Sequence, residues 1–333
     1  MNRTLVRLLG ERAEQLRSRY GIEFRVTGIA SRKLGWIADA SGLDAESLVA
    51  SSSNSSGSSS RAGVPAPHSP VQSSDVRSWL AAARADVLFE ATSLNVTDGQ
   101  PAVDHIRAAL EHGAHAITAN KGPIVHAYRE LRDLAAARGK RFLFESTVMD
   151  GVPIFSLFDQ LPVIHLQEFH GILNSTTNVI LGEMEQGLSF DEAIAKAQAL
   201  GVAETDASHD IDGWDAAVKT AALITVLMDV PVRLDEIERE GIRDLTGNAV
   251  RNARRDGWPF KLVCRAKRTT SGVQASVRPE KVMITQPMGR ISGTSSYVYF
   301  ETDIFPGLAI TEENPGLYAT AYGLLADFVR AVS

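Results

Sequence analysis

Carboxylates crowd the stretch ahead of one lysine: Glu204, Asp206, Asp210, Asp212 and Asp215 precede Lys219, after the run Gly201-Val202-Ala203. Asp215 and Lys219 lie four residues apart, which puts both on one face of a helix, where the carboxylate fixes the ammonium and holds its charge. Ion pairs at that spacing usually decorate a surface. The carboxylates before this one argue for more, because gathering like charges is costly unless a cation or an amine sits among them. Neighbouring carboxylates pull a lysine pKa upward and burial pulls it toward neutrality, and spacing alone leaves that balance open.

Further segments have residue types suited to chemistry. Thr118-Ala119-Asn120-Lys121-Gly122-Pro123 stands at the carboxyl end of an expected strand, where open parallel sheets bind ligands, so Lys121 points into a site unless it is a solvated loop residue. Glu145 opens the run Glu145-Ser146-Thr147-Val148-Met149-Asp150-Gly151-Val152-Pro153, a carboxylate followed by a turn whose carbonyls suit a hard cation. A capping or salt-bridge role for Glu145 is the plainer reading. The run from Gly171 to Asn178 offers short donors in a turn, with Thr176 either a ligand contact or a helix cap. Thr92 and Ser93 follow a strand directly, as a dinucleotide-contacting turn does. Ser31-Arg32-Lys33 follows another strand at the place where an acidic residue takes a ribose hydroxyl, and arginine there favours a 2′-phosphate.

These residues need a frame. Leu5, Leu8, Leu9, Ala13 and Leu16 recur at helical spacing over 4–19, an amphipathic helix that leads into a strand over 24–30. Helical fragments are expected over 35–50, with Asp44 as a cap, and then a serine-rich surface loop over 51–60 whose composition offers no apolar burial. Strand and helix alternate after it: a strand over 87–91, a helix entered at Pro101 and closed by Gly113, a strand over 116–118, a helix over 124–138 and a strand over 141–146. Such alternation implies an α/β fold with a Rossmann-like, doubly wound parallel sheet. After Gly151 the pattern changes. A capping box at Ser189 and Glu192 starts a helix that runs to Leu200, a second helix covers 214–228, and strands are expected over 261–268, 273–277 and 295–302. We expect a dinucleotide-binding domain over 1–150, with 311–333 and its final helix packing back onto it, and a second, α+β domain over 151–310.

At 333 residues, 44% hydrophobic and 22% charged, the chain supports two cores and is too apolar for a disordered one. A net charge of −6 argues against nucleic acid as a partner, and Arg251, Arg254 and Arg255 read as a solvated helix surface. The single cysteine, Cys264, cannot close an internal disulfide, and no run approaches membrane-spanning length. No membrane partner is expected, and a cytoplasmic location is the simplest reading.

Asn120-Lys121-Gly122-Pro123, the Glu145 turn and the segment from Gly201 to Lys219 together resemble homoserine dehydrogenases, over nearly the whole chain. The resemblance implies NAD(P)-dependent interconversion of L-homoserine and L-aspartate 4-semialdehyde, on the way to threonine, methionine and isoleucine. It implies proton transfer by Lys219, orientation by Asp215, and a Lys121 that contacts substrate beside the nicotinamide. Glu204 and Asp210 would take the substrate amine and hydroxyl, with Thr176 as a further substrate contact. The cofactor would be NADP, preferred to NAD on the strength of Arg32, and held by Thr92, Ser93, Arg32 and Lys121. A sodium ion would rest on Glu145, Val148, Asp150 and Val152, and strands after Lys261 would pair two subunits into a homodimer that makes the second domain catalytic and dimerising. Lysine suits the chemistry, since oxidising an alcohol requires a group that takes the hydroxyl proton as hydride leaves.

Two features depart from that pattern. A Rossmann domain opens with a strand and a G-x-G-x-x-G turn whose backbone approaches the pyrophosphate. This chain begins with Met1-Asn2-Arg3, inside or just before the helix that should follow. We expect an N-terminally incomplete sheet with roughly a dozen residues missing. The alternative is a non-catalytic homologue, a binding or subunit-pairing protein that no longer holds a dinucleotide. Near the other end, Glu312-Glu313-Asn314-Pro315-Gly316 replaces a glycine-rich turn, and no regulatory domain is expected after Ser333.

Overall fold

Four leucines at helical spacing, Leu5, Leu8, Leu9 and Leu16, form the buried stripe of the first helix, α1 (Asn2–Tyr20). The computed structural model describes residues 2–32, 34–45 and 71–333, and two units emerge from it: Met1–Ser146 with Leu317–Ser333, and Thr147–Gly316. Lys33, the expected loop over 51–60 and the last residues of 35–50 lie outside the described residues.

In the first unit α1 is followed by β1 (Gly28–Ser31), β2 (Gly35–Ala38), β3 (Val71–Ser73), α2 (Val76–Ala83), β4 (Val87–Glu90), α3 (Ala102–His112), β5 (His115–Thr118), α4 (Gly122–Ala137) and β6 (Phe142–Leu143). Strands β4, β5 and β6 are parallel neighbours in that order, joined by α3 and α4. Gly113 ends α3 at φ +92, a left-handed cap that glycine takes without a Cβ penalty. The closing helix of the chain, α11 in order (Leu317–Val332), belongs to this unit: Leu324, Leu325, Phe328 and Ala331 share one core with the α1 stripe and with Ile117 of β5. Each such side chain contributes about 1.5–3 kcal/mol of burial.

The start of the unit differs from expectation. Pairing begins only at Gly28, and β1, β2 and β3 form a separate antiparallel sheet. Residues 24–27 bond instead to a loop, Val26 and Thr27 accepting from the N–H groups of Leu43 and Asp39 at 2.7 and 2.9 Å. The helix expected from residue 35 begins as a strand because Gly35, at φ +69, reverses the chain, and because the Ile37 carbonyl accepts from the Trp79 indole at 2.8 Å. Among the described residues no strand pairs with the outer edge of β4. A cavity of about 1990 Å³ lies along that edge, lined by residues 22–30, by Val87, Phe89 and Glu90, and by Phe328.

The second unit contains α5 (Phe155–Asp159), β7 (Leu166–Ile172), α6 (Ser175–Glu185), α7 (Phe190–Ala199), α8 (Ser208–Ile211), α9 (Trp214–Leu227), β8 (Glu238–Arg239), α10 (Gly247–Arg255), β9 (Phe260–Thr269), β10 (Gly272–Lys281), β11 (Ser296–Thr302) and β12 (Leu308–Glu312). Six strands form one sheet in the order β12-β11-β7-β9-β10-β8, antiparallel except for β10 beside β8. Gly171 permits the approach of β11, since a Cβ there would stand 2.2 Å from the Tyr297 carbonyl oxygen. The Ser189 capping box forms, the Glu192 carboxylate accepting from the Ser189 N–H at 2.8 Å. Helix α9 packs on β9 and β10 through small and apolar residues, Ala216, Ala217, Ala221 and Leu223 among them. No helix among the described residues is long and apolar enough to cross a membrane.

Candidate active site

In the second unit, one helix start and one helix turn meet. Strand β7 ends at Ile172, and Asn174 caps α6 by accepting from the Thr177 N–H at 2.8 Å. The same side chain turns its Nδ2 outward, donating to Asp210 Oδ1 at 2.6 Å and to Asp215 Oδ2 at 3.0 Å. One amide therefore begins a helix and bridges two carboxylates. Thr176, in the first turn, is buried, donates to the Val202 carbonyl at 3.2 Å and also bonds Asp210.

Helix α9 begins after Gly213, at φ +79, and Asp215 stands in its first turn. One turn later the Lys219 Nζ lies 3.2 Å from Asp215 Oδ2 and donates to the Leu173 carbonyl at 2.6 Å. Burial disfavours this ammonium, but the charges of Asp215 and Asp150 outweigh it and raise the Lys219 pKa. The balance that spacing left open thus falls on the side of a charged lysine. The Asp210 pKa is raised as well, which for a carboxylate disfavours the charged form: burial first, and then the Asp215 charge, outweigh the Asn174 and Lys219 contributions.

The carboxylate run divides by role. Asp210 and Asp215 turn toward Lys219, whereas Asp206 accepts from the Ser208 N–H at 3.0 Å and Asp212 is held by Arg243 at 2.9 and 3.1 Å. Arg239 lies 3.7 Å over the Trp214 ring and donates to the Asp212 carbonyl, which fixes the turn into α9. Glu204 is exposed, and only its backbone carbonyl has a described contact, accepting from Gln198 at 3.1 Å. Val148 is buried, Asp150 sits at φ +44, and Val152 donates its N–H to the Met149 carbonyl at 2.9 Å.

In the first unit the turn after β4 is organised by Glu90. Burial opposes its charge, but hydrogen bonds with His105, Thr92 and Thr118 outweigh burial and lower its pKa. The Thr92 hydroxyl and N–H both go to Glu90, and Asn120 donates to the Thr92 and Ser93 carbonyls at 3.1 and 3.4 Å. Asn120 also accepts from the Gly122 N–H at 2.9 Å, so Lys121 is presented at the start of α4. Thr92, Ser93, Ser31 and Arg32 line the 1990 Å³ cavity at the carboxyl ends of β4 and β1. Ligand pockets are commonly about 300–1,000 Å³; this larger space also takes in the edge of β4 that no described strand covers.

Glu145, also in this unit, is buried beside the fully buried Asp327, whose Oδ2 accepts the Glu145 N–H at 2.8 Å. Arg330 lies 3.6 Å from Glu145 and 3.1 Å from Asp327. Burial, reinforced by the Glu145 charge, pushes Asp327 up to about 7. Two carboxylates beside one guanidinium suit a hard cation. Among the described residues no three His, Cys, Asp or Glu side chains gather as a metal cluster, so such an ion would rest mainly on backbone carbonyls.

Asn174, Glu90 and Asn120 carry much of this order and escaped selection from the sequence. Asn174 had a findable signal, an asparagine directly before a helix.

Comparison with known proteins covers both units. Residues 153–329 match the homoserine dehydrogenase family and residues 3–145 match its NAD-binding domain. An NAD(+)-dependent homoserine dehydrogenase from Pseudomonas canavaninivorans is 34% identical over 99% of this chain and 93% of its own length. A homoserine dehydrogenase from Methanocaldococcus jannaschii is 34% identical over 74% of this chain and 72% of its own. Among solved structures, a hyperthermophilic archaeal homoserine dehydrogenase mutant in complex with NADPH superposes with a TM-score of 0.80 at 26% identity, covering 99% of this chain and 93% of that one. With each unit matched by its own half of that family's description, the chain belongs to the homoserine dehydrogenase family.

Proposed function

We propose that this chain interconverts L-homoserine and L-aspartate 4-semialdehyde with a nicotinamide dinucleotide. The observation that carries the reading is Lys219, held between Asp215 and the Leu173 carbonyl with Asp210 beside it. A bound nicotinamide supplies the hydride to C4 of the aldehyde, or takes it from C4 of the alcohol. The Lys219 ammonium gives a proton to the C4 oxygen as negative charge develops there during reduction, and the neutral amine takes it back during oxidation. A raised lysine pKa keeps the ammonium populated through neutral pH, so reduction is the direction its resting state serves, and oxidation quickens as pH rises. Asp215 fixes the ammonium. Asp210 and Glu204 are the substrate-binding carboxylates on this reading, with Thr176 and Lys121 as further contacts. Homoserine-dependent reduction of the cofactor by the purified chain, with a rate that rises on the alkaline side, is the expected result; folded protein that binds homoserine and reduces nothing favours the non-catalytic homologue.

Thr92, Ser93, Lys121 and Arg32 would hold the cofactor, with Arg32 beside the ribose. Its exposed guanidinium supports a preference for NADP, while the relative named as NAD(+)-dependent pulls the other way. Arg32→Ala is expected to lower kcat/KM for NADP about tenfold and leave that for NAD within about twofold, the loss of one charge-assisted phosphate contact. An unchanged ratio of the two removes Arg32 from cofactor choice.

We also propose a sodium ion at Glu145 and the carbonyls near Val148, Asp150 and Val152, on the strength of the likeness between this turn and that of homoserine dehydrogenases. A homodimer paired through the second unit's sheet completes the reading. Sedimentation at micromolar concentration should show twice the chain mass; a single-chain mass contradicts it.

A further inference from the structure

Glu312 ends β12 beside the catalytic row of the sheet. Thr311, Tyr297 and Ile172 are register partners across β12, β11 and β7, and Glu312 and Leu173 are the next residues along β12 and β7, which run in the same direction. Neighbouring strands lie about 4.8 Å apart, so about 10 Å separates the Glu312 backbone from that of Leu173, whose carbonyl holds Lys219. Across that gap the Lys219 charge still acts on the Glu312 carboxylate, which places the two groups in one neighbourhood.

This end of β12 is pinned to the helix that organises the site. The Asn314 N–H donates to Ser295 Oγ at 3.1 Å and Thr294 donates to the Pro315 carbonyl at 3.3 Å. Asn178, on α6, donates to the Gly293 carbonyl at 2.8 Å. The same α6 carries Asn174, the bridge between Asp210 and Asp215.

Within this frame the Glu312 Oε2 is buried with no hydrogen-bond partner among the described residues. A buried carboxylate oxygen without a donor is costly, and a cationic ligand group removes that cost. Burial pushes Glu312 up to about 7, the Asp150 charge adds to this, and the Lys219 charge opposes it. An arriving ammonium would favour the charged carboxylate, whose Oε2 has no donor among the described residues. Asp210 is already engaged by Asn174 and Thr176, and Glu204 is exposed.

We propose that Glu312 is a specificity residue, whose carboxylate accepts a hydrogen bond from the α-ammonium of the substrate and so selects an amino alcohol over the same alcohol without its amine. The identity of the substrate in this assignment rests on the dehydrogenase reading above. Calorimetry on the intact chain compares binding of L-homoserine and of 4-hydroxybutanoate, the analogue lacking the amine, to the wild type, to Glu312→Gln and to Glu312→Asp. Glu301→Gln, exposed on β11, is the control, and circular dichroism verifies each fold.

The wild type is expected to prefer homoserine about 10- to 100-fold, the strength of a hydrogen bond to a charged group. Glu312→Gln should cut that preference at least about threefold by weakening homoserine alone, with Asp210 and Glu204 keeping the remainder, and Glu312→Asp should fall between. The control should keep the full preference. A preference unchanged in Glu312→Gln overturns the assignment, as does an equal loss for both ligands. Glu312-dependent binding without homoserine turnover would sink the dehydrogenase reading and keep this one; turnover with an unchanged preference does the reverse.

Discussion

Replacing Lys219 with alanine is expected to lower kcat for aspartate semialdehyde reduction at least about a hundredfold with the fold intact, the usual worth of a positioned acid or base. Its ammonium is the only one whose contacts to Asp215 and to the Leu173 carbonyl place it at this helix start among the described residues. Removing it also leaves Asp215 beside Asp210 with Asn174 as their shared donor. The effect should therefore appear in kcat as well as in substrate affinity. Lys219→Met, which keeps the apolar stem and removes only the proton-carrying group, should match alanine in kcat and exceed it in thermal stability. A methionine variant that retains kcat within tenfold would take Lys219 out of proton transfer.

Asn174→Ala should be nearly as severe. Its side chain makes two hydrogen bonds to carboxylates and caps α6, so three separate contacts end together. Hydrogen bonds to charged groups contribute about 1.5–3 kcal/mol each, and loss of an asparagine cap costs about 1 kcal/mol. We expect kcat/KM to fall about thirtyfold to a hundredfold and stability to drop by about 1 kcal/mol, because exposure to water recovers part of the carboxylate solvation. Steady-state kinetics and urea denaturation separate the two effects. Asn174→Asp should preserve the cap while placing a third negative charge against Asp210 and Asp215, so it should be inactive and less stable than the wild type. If Asn174→Asp kept wild-type kcat/KM, the bridging account would fail.

Local signals account for what is legible in the sequence. The α1 stripe, the Ser189 and Glu192 capping box and the Asp215–Lys219 spacing are all set within one or two helical turns, and each forms where periodicity and capping place it. Strand and helix alternation likewise locates β4, α3, β5 and α4 to within a few residues. Where partners are distant the sequence is silent. Asn174 meets Asp210 and Asp215 across 36 and 41 positions, and Glu312 reaches the site through strand order. The segment from Gly35 reads as helical fragments and folds as β2, paired locally with β1 across the turn at Gly35 and, more than 30 residues away, with β3 and the Trp79 indole, which only the fold brings to it. The balance on the Lys219 pKa was legible only in part, since it sets burial against the nearby Asp215 and against Asp150, which is far off in the chain.

Hydride transfer at C4 of homoserine is tested most directly with homoserine dideuterated at C4. The purified chain with NADP, and separately with NAD, should yield reduced cofactor carrying one deuterium per aldehyde formed, detected by mass spectrometry. Reduced cofactor without deuterium would contradict transfer from C4, and no reduction by a folded chain that binds both homoserine and dinucleotide would contradict the dehydrogenase account itself.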